Sequence, residues 1–170
     1  MLATLAALGS LGTVAIHYVN PEPHSLLFAG CDGLALAFLG IATIRLMGSV
    51  LFGDHSSHDH LLSAACAYVL LGLVFAYALI VFEGLTGTPQ IHVAPESRID
   101  GDDSSGLTRA RFLFLSFVTL TTLGYGDMTA VTLEARVLLG VESVLGQLFL
   151  AIMVARLIAL HTSAAGGASA

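Results

Sequence analysis

The sequence predicts an all-α membrane protein with four transmembrane helices. Of its 170 residues, 56% are hydrophobic and only 11% are charged, whereas soluble chains carry about 25% charged residues. The apolar residues form four long runs separated by polar segments, and each run can cross a bilayer as a helix. A fifth, shorter apolar run precedes a segment rich in glycine and threonine. We therefore expect membrane helices with one short helix and one irregular loop among them.

The charged and catalytic side chains exclude several functional classes. All six cationic side chains are arginines, and the net charge is −6. Because no basic patch is present, we expect no nucleic-acid partner. The sequence contains no GxSxG elbow, HExxH helix or P-loop, so we do not expect an enzyme.

Residues 1–60 are expected to contain two transmembrane helices. The first occupies residues 1–19, which at about 1.5 Å per residue would span about 28 Å. A signal peptide is the alternative, but this segment lacks a basic start. The second occupies residues 26–52, with Asp32 near one end and Arg45 near the other. A voltage sensor needs several arginines in series along a helix, so a dedicated sensor is not expected here.

Residues 53–60 are a polar segment with three histidines and two aspartates. Imidazole and carboxylate groups bind divalent metals, so His55, His58 and His60 are weak candidate metal ligands. Short histidine-rich tracts are only a compositional sign, and a solvated loop is the favoured interpretation.

The remaining chain, residues 61–161, is expected to form one unit. A short apolar run lies here between two long ones. Non-helical backbone at membrane depth must be buried in protein or line a water-filled cavity. We predict an outer helix at 61–83, a loop at 84–107, a re-entrant helix at 108–121, an irregular loop at 122–127, an inner helix at 132–160 and a flexible tail at 162–170.

The irregular loop lies within the stretch Thr121-Thr122-Leu123-Gly124-Tyr125-Gly126-Asp127. Carbonyl oxygens that replace the water around a cation must face one axis, whereas they alternate in an ordinary strand. Residues at left-handed backbone angles keep them on one side, and glycine adopts such angles without steric cost. The preceding helix ends at this stretch, and a helix C-terminus favours a cation. A glycine-rich turn between two membrane helices is the alternative.

This TxGYGD pattern closely resembles the selectivity filter of potassium channels, with Leu123 where the commonest form has valine. The resemblance is specific over residues 108–157, and the chain is similar to small bacterial four-span members of the pore-loop cation channel family. It implies passive, potassium-selective conduction by a homotetramer in a lipid bilayer, since one loop cannot encircle an ion. It also implies K⁺ ions bound by Thr122, Leu123, Gly124, Tyr125 and Gly126, with Thr121 and Asp127 in support.

The resemblance extends into the inner helix. Gly146 follows Gly124 by 22 residues, at the place of the gating glycine in such channels. A hinge and close helix packing both explain a glycine there, and both remain open. Glu142 lies one turn earlier on the same face, where it is expected to be either protonated or paired. The resemblance implies a cavity lined by Gln147, Leu150 and Val154.

The resemblance also sets an orientation in the membrane. With the filter mouth outward, both termini and the loop at 53–60 are cytoplasmic, and the membrane is the bacterial cell (inner) membrane. Only Arg45 and Arg156 then lie on the inner side, although cytoplasmic loops usually carry the excess of arginine and lysine. Because the chain has so few charges, we give the motif more weight.

Two other functions remain as alternatives. A potassium-uptake transporter subunit also uses pore loops, but such chains are longer and carry four degenerate copies. A metal-sensing membrane protein would instead depend on the histidine tract.

Overall fold

The structure is a computed structural model, and it describes residues 26–52, 57–95 and 105–167. The described residues form four helices and two short strands. In chain order these are α1 (Leu26–Phe52), α2 (Ser57–Thr86), β1 (Ile91–Val93), α3 (Ser105–Leu120), β2 (Met128–Ala130) and α4 (Leu133–Gly167). The helix predicted at 1–19 lies outside the described residues.

Three of the described helices are long and apolar enough to cross a membrane. Their candidate spans are Asp32–Leu51, Leu61–Thr86 and Leu133–Ala159. Helix α3 has only 16 residues, or about 24 Å at 1.5 Å per residue. It packs between α2 and α4. The described part of the chain is therefore a helical membrane protein in which a short helix lies between two long ones.

The helix ends differ from the predicted boundaries. Helix α2 begins at Ser57 and not at 61. Part of the predicted loop at 53–60 is therefore helical, and His58 and His60 lie in the first turn of α2. Helix α4 runs to Gly167, so most of the predicted tail at 162–170 is helical. Alanines with high helix propensity extend it.

Two three-residue strands accompany the predicted helices. They pair antiparallel, with Ile91 opposite Ala130 and Val93 opposite Met128. The pairing continues through Ala94 N–H, which donates to the Asp127 carbonyl at 2.8 Å. Three residues are too few for an alternating pattern to be recognised, so this part of the predicted loop at 84–107 was missed. The loop after α2 is thereby joined to the chain that follows the TxGYGD stretch.

A fully buried amide, Gln90, fastens the same loop to the start of α4. Its Nε2 donates to the Thr88 carbonyl at 2.7 Å and to Thr86 Oγ1 at 3.1 Å. Its Oε1 accepts from Thr132 Oγ1 at 2.5 Å. Thr132 Oγ1 also accepts from Ala135 N–H at 3.2 Å, as an N-cap of α4. A buried amide needs such partners, so Gln90 joins the end of α2 to the beginning of α4.

Helix α1 is attached to the rest of the chain at both ends. Near its beginning, Arg109 Nη2 of α3 donates to Asp32 Oδ2 at 2.9 Å. Near its end, Arg156 of α4 donates to the Val50 carbonyl. At the same end, Val50 belongs to a buried apolar cluster with Ala64, Ala67, Phe149 and Met153. Asp32, which was predicted only to lie near a helix end, therefore forms an ion pair that joins α1 to α3.

Candidate functional site

Left-handed backbone alternates along segment 121–127, which follows α3 directly. The φ angle is +57° at Thr122, +57° at Gly124 and +85° at Gly126. The two glycines therefore adopt the angles that the sequence predicted for them. Thr122 was not predicted to do so, because a β-branched residue with positive φ is an outlier. Gly124 and Gly126 are two residues apart, and Thr122 precedes Gly124 by the same spacing. This spacing was the signal that could have predicted a positive φ at Thr122.

The side chains of segment 121–127 are largely uncovered by their own chain. Leu123 is 63% exposed and Tyr125 is 70% exposed. The Tyr125 ring meets Phe114 of α3 edge-to-face, with centroids 6.2 Å apart. Thr121 Oγ1 donates to the Phe117 carbonyl at 2.7 Å. The candidate site is thus a strip along one side of the chain and is not enclosed within it.

The hydroxyl of Thr122 and the backbone of Asp127 lie at the two ends of this strip. Thr122 Oγ1 donates to the Thr121 carbonyl at 2.7 Å. Asp127 is half-buried, and its carbonyl accepts from Ala94 beside β1. The start of the strip is therefore held by α3, and its end is held by the strand pair.

The last four carbonyls of α3 all have a hydrogen-bond donor. A helix leaves these groups without an intrahelical partner. Three of them accept from backbone N–H groups just after the helix: those of Phe117, Val118 and Thr119, at 2.9–3.0 Å. The fourth, of Leu120, accepts from the Tyr68 hydroxyl of α2 at 3.0 Å. Sequence reasoning did not find Tyr68, because a lone tyrosine in an apolar run gives no signal of its partner.

Gly146 lies against the end of α3. A Cβ atom at this position would be 2.7 Å from Leu120 Cδ1 and 3.0 Å from the Leu120 carbonyl oxygen. Real Cβ atoms essentially never approach another atom within 3.0 Å. Close packing is therefore a sufficient reason for glycine here. Its role as a gating hinge stays a prediction.

Glu142 is fully buried between helices. Its Oε1 lies 2.5 Å from the Ser116 hydroxyl of α3, which is also 2.7 Å from the Gly72 carbonyl of α2. Among the described residues, Oε2 has no hydrogen-bond partner. The structure identifies the Ser116 hydroxyl as the neighbour of Glu142, and whether the carboxyl is protonated or paired stays a prediction. This contact links α2, α3 and α4 one turn above Gly146.

The predicted cavity residues Gln147, Leu150 and Val154 share one uncovered face of α4. All three are exposed, with Leu150 at 41% and Val154 at 57%. Segment 121–127 and this face are thus both uncovered in the lone chain. The structure places no other described element over them.

The histidine tract is only partly described. His55 lies outside the described residues, and the side chains of His58 and His60 are not among those the structure describes. Among the described residues, no group of three or more His, Cys, Asp or Glu could hold a metal ion. The candidate metal site of residues 53–60 therefore stays a prediction.

Comparison with known proteins identifies the class of this chain. The model of the family described as "Ion channel" matches residues 63–163, more than half of the chain. A curated relative, potassium voltage-gated channel protein Shal of Drosophila melanogaster, is 29% identical over 126 residues. The match covers 72% of this chain but only 21% of the relative, so the chain spans about a fifth of its length. No solved structure matches. This helical membrane protein belongs to the ion channel family, which is not a family of enzymes.

Proposed function

We propose that the chain is a subunit of a potassium-selective channel that conducts K⁺ passively through segment 121–127. The observation that carries this proposal is the left-handed backbone at Thr122, Gly124 and Gly126, directly after the end of α3. Such alternation lets successive carbonyl oxygens face one side. A row of these oxygens replaces the hydration shell of a dehydrated K⁺ ion.

In this proposal the ion sites are formed by backbone. The carbonyl oxygens of residues 122–126, together with the Thr122 hydroxyl, bind the ions, while Thr121 and Asp127 support them. The C-terminal end of α3 carries a partial negative charge, and it lies at the start of segment 121–127. The Drosophila relative is named a potassium channel, which favours K⁺ over other cations. Its name also includes voltage gating, but α1 carries a single arginine, and we expect no steep voltage dependence from it.

Four copies are needed to complete the site, because one strip of oxygens cannot surround an ion. The uncovered side chains of Leu123 and Tyr125 would be enclosed in such a homotetramer. The uncovered face of α4 would then line a water-filled cavity with Gln147, Leu150 and Val154. Gly146, above this face, is the proposed hinge. We place the tetramer in the bacterial cell (inner) membrane with both termini in the cytoplasm.

The experiment is tracer flux into liposomes that contain the purified protein. We expect ⁸⁶Rb⁺ uptake that is driven by a K⁺ gradient and competed by K⁺ but not by Na⁺. Gly124→Asp should abolish this uptake, because an L side chain at φ +57° is strained and the strain falls within the proposed carbonyl row. Tyr125→Ala should reduce the uptake or its selectivity, because it removes the contact with Phe114.

Gly87→Asp is the matched control. Gly87 has a similar φ of +63° but lies after α2, outside segment 121–127, with nothing within 4 Å of its Cβ position. An aspartate at Gly87 must also adopt a left-handed φ angle, so the backbone strain is comparable to that of Gly124→Asp. We expect selective uptake to persist in the Gly87→Asp variant. Equal uptake by the Gly124→Asp variant and the parent would refute the proposed pathway. Uptake that Na⁺ competes as well as K⁺ would refute the proposed selectivity.

A further inference from the structure

The Leu120 carbonyl is the last peptide oxygen before segment 121–127. Among the described residues, it is also the only one of the final four in α3 whose donor lies in another helix. The other three accept from backbone N–H groups within the next few residues. Leu120 accepts from Tyr68, which lies 52 positions earlier in the chain. The orientation of this peptide therefore depends on a side chain of α2.

The Tyr68 ring is itself held by α4. It stacks on Phe149, with ring centroids 6.2 Å apart and an interplanar angle of 20°. Phe149 is three residues after Gly146, so both lie on one helix face. One aromatic side chain thus contacts α4 through its ring and α3 through its hydroxyl. A displacement of either long helix relative to α3 would change the geometry of this hydrogen bond.

Two close approaches pack Leu120 between α2 and α4. On one side, Gly146 of α4 lies so near that a Cβ would be 3.0 Å from the Leu120 carbonyl oxygen. On the other side, a Cβ at Gly72 of α2 would be 2.9 Å from Phe117 Cε1 and 3.2 Å from Leu120 Cδ2. Gly72 is one turn after Tyr68, so α2 presents a small residue and a donor on one face. Leu120 is fully buried between them.

We propose that Tyr68 is a positioning residue for ion selectivity, which acts by fixing the peptide that enters segment 121–127. This inference rests on the proposed potassium channel function. The hydroxyl holds the Leu120 carbonyl toward α2. The orientation of this peptide then sets the direction in which the chain enters the alternating left-handed backbone that begins at Thr122. Without the hydroxyl, the Leu120 carbonyl loses the donor that holds it toward α2, the peptide tilts, and the first ion site formed by Thr122 loses its geometry.

The test is the K⁺/Na⁺ permeability ratio, measured from bi-ionic reversal potentials of purified protein in planar bilayers. Tyr68→Phe removes only the hydroxyl and keeps the ring on Phe149. Loss of one such hydrogen bond should lower the ratio by about three- to tenfold. Tyr77→Phe is the matched control: it lies on the same helix, and its hydroxyl makes no hydrogen bond to the described residues. We expect the parental ratio for that variant.

Packing and positioning are separated by a second substitution. Phe149→Leu removes the ring stack but retains the hydroxyl, so it should lower the ratio less than Tyr68→Phe does. If Tyr68→Phe does not assemble alone, it is co-expressed with the parent. Mixed oligomers should then show a ratio that falls stepwise as the number of variant subunits rises.

The outcomes distinguish this inference from the function on which it rests. A parent protein that does not prefer K⁺ over Na⁺ overturns the proposed function. A selective parent with an equally selective Tyr68→Phe variant, alone or in mixed oligomers, overturns the role of Tyr68. An equal loss in the Tyr68→Phe and Tyr77→Phe variants also overturns it, since the effect would then not depend on Leu120.

Discussion

Replacing Gly146 by alanine tests whether close packing explains this glycine. Alanine in mid-helix is favoured over glycine by about 0.5–1 kcal/mol, so a glycine without close neighbours should gain stability. The new Cβ would lie 2.7 Å from Leu120 Cδ1 and 3.0 Å from the Leu120 carbonyl oxygen. Overpacking of this kind costs about 1–3 kcal/mol, and a backbone oxygen cannot move aside as a side-chain end can. We expect a net destabilisation of about 1–2 kcal/mol.

The measurement is the free energy of unfolding in mixed micelles, followed by circular dichroism. Gly140→Ala is the matched control, because Gly140 lies in the same helix with nothing within 4 Å of its Cβ position. It should gain about 0.5–1 kcal/mol. The difference between the two variants removes the helix propensity common to both and leaves the cost of the contact. A Gly146→Ala variant as stable as Gly140→Ala would refute close packing and leave the hinge as the reason for glycine.

Three further predictions concern polar contacts between helices, measured with the same unfolding assay. The Asp32–Arg109 pair is only partly exposed, so a double-mutant cycle with alanine should give a coupling of about 1–3 kcal/mol; additive single effects would contradict it. Gln90→Ala should cost about 1–3 kcal/mol, because the hydrogen bonds from this buried amide to Thr132 and two other partners are lost; a neutral effect would show that the loop is not fastened there. Ser116→Ala should cost about 1–3 kcal/mol by leaving buried Glu142 without its hydrogen-bond partner. Glu142→Gln, which keeps the contact, should cost less, and the reverse order would refute the importance of this contact.

The helical architecture was predictable because it depends on local properties of the chain. Apolar runs of sufficient length predict membrane helices, and the runs locate α1, α2 and the start of α4 within a few residues. The ends were harder to predict, since the polar residues at 57–60 and 161–163 suggest loops although the backbone there is helical. The β1–β2 pair was missed because its strands are short and distant in sequence, and their pairing is set by where α2 and α4 end.

Within the candidate site, the left-handed angles of Gly124 and Gly126 were predictable from residue type. That of Thr122 was not, because a threonine does not favour positive φ and adopts it only when the surrounding chain requires it. The partners of Leu120 were also hidden, because Tyr68, Gly72 and Gly146 have no pattern that relates them.

The sequence by itself determined that this is a helical membrane protein, and it located the glycine-containing segment between a short helix and a long one. Both follow from composition and local order, since lipid excludes polar backbone and only certain residues tolerate left-handed angles. The tertiary structure alone decided which groups hold that segment in place. Tyr68, Gly146 and the Glu142–Ser116 contact meet α3 from helices far apart in sequence, and proximity of this kind arises only when the helices pack.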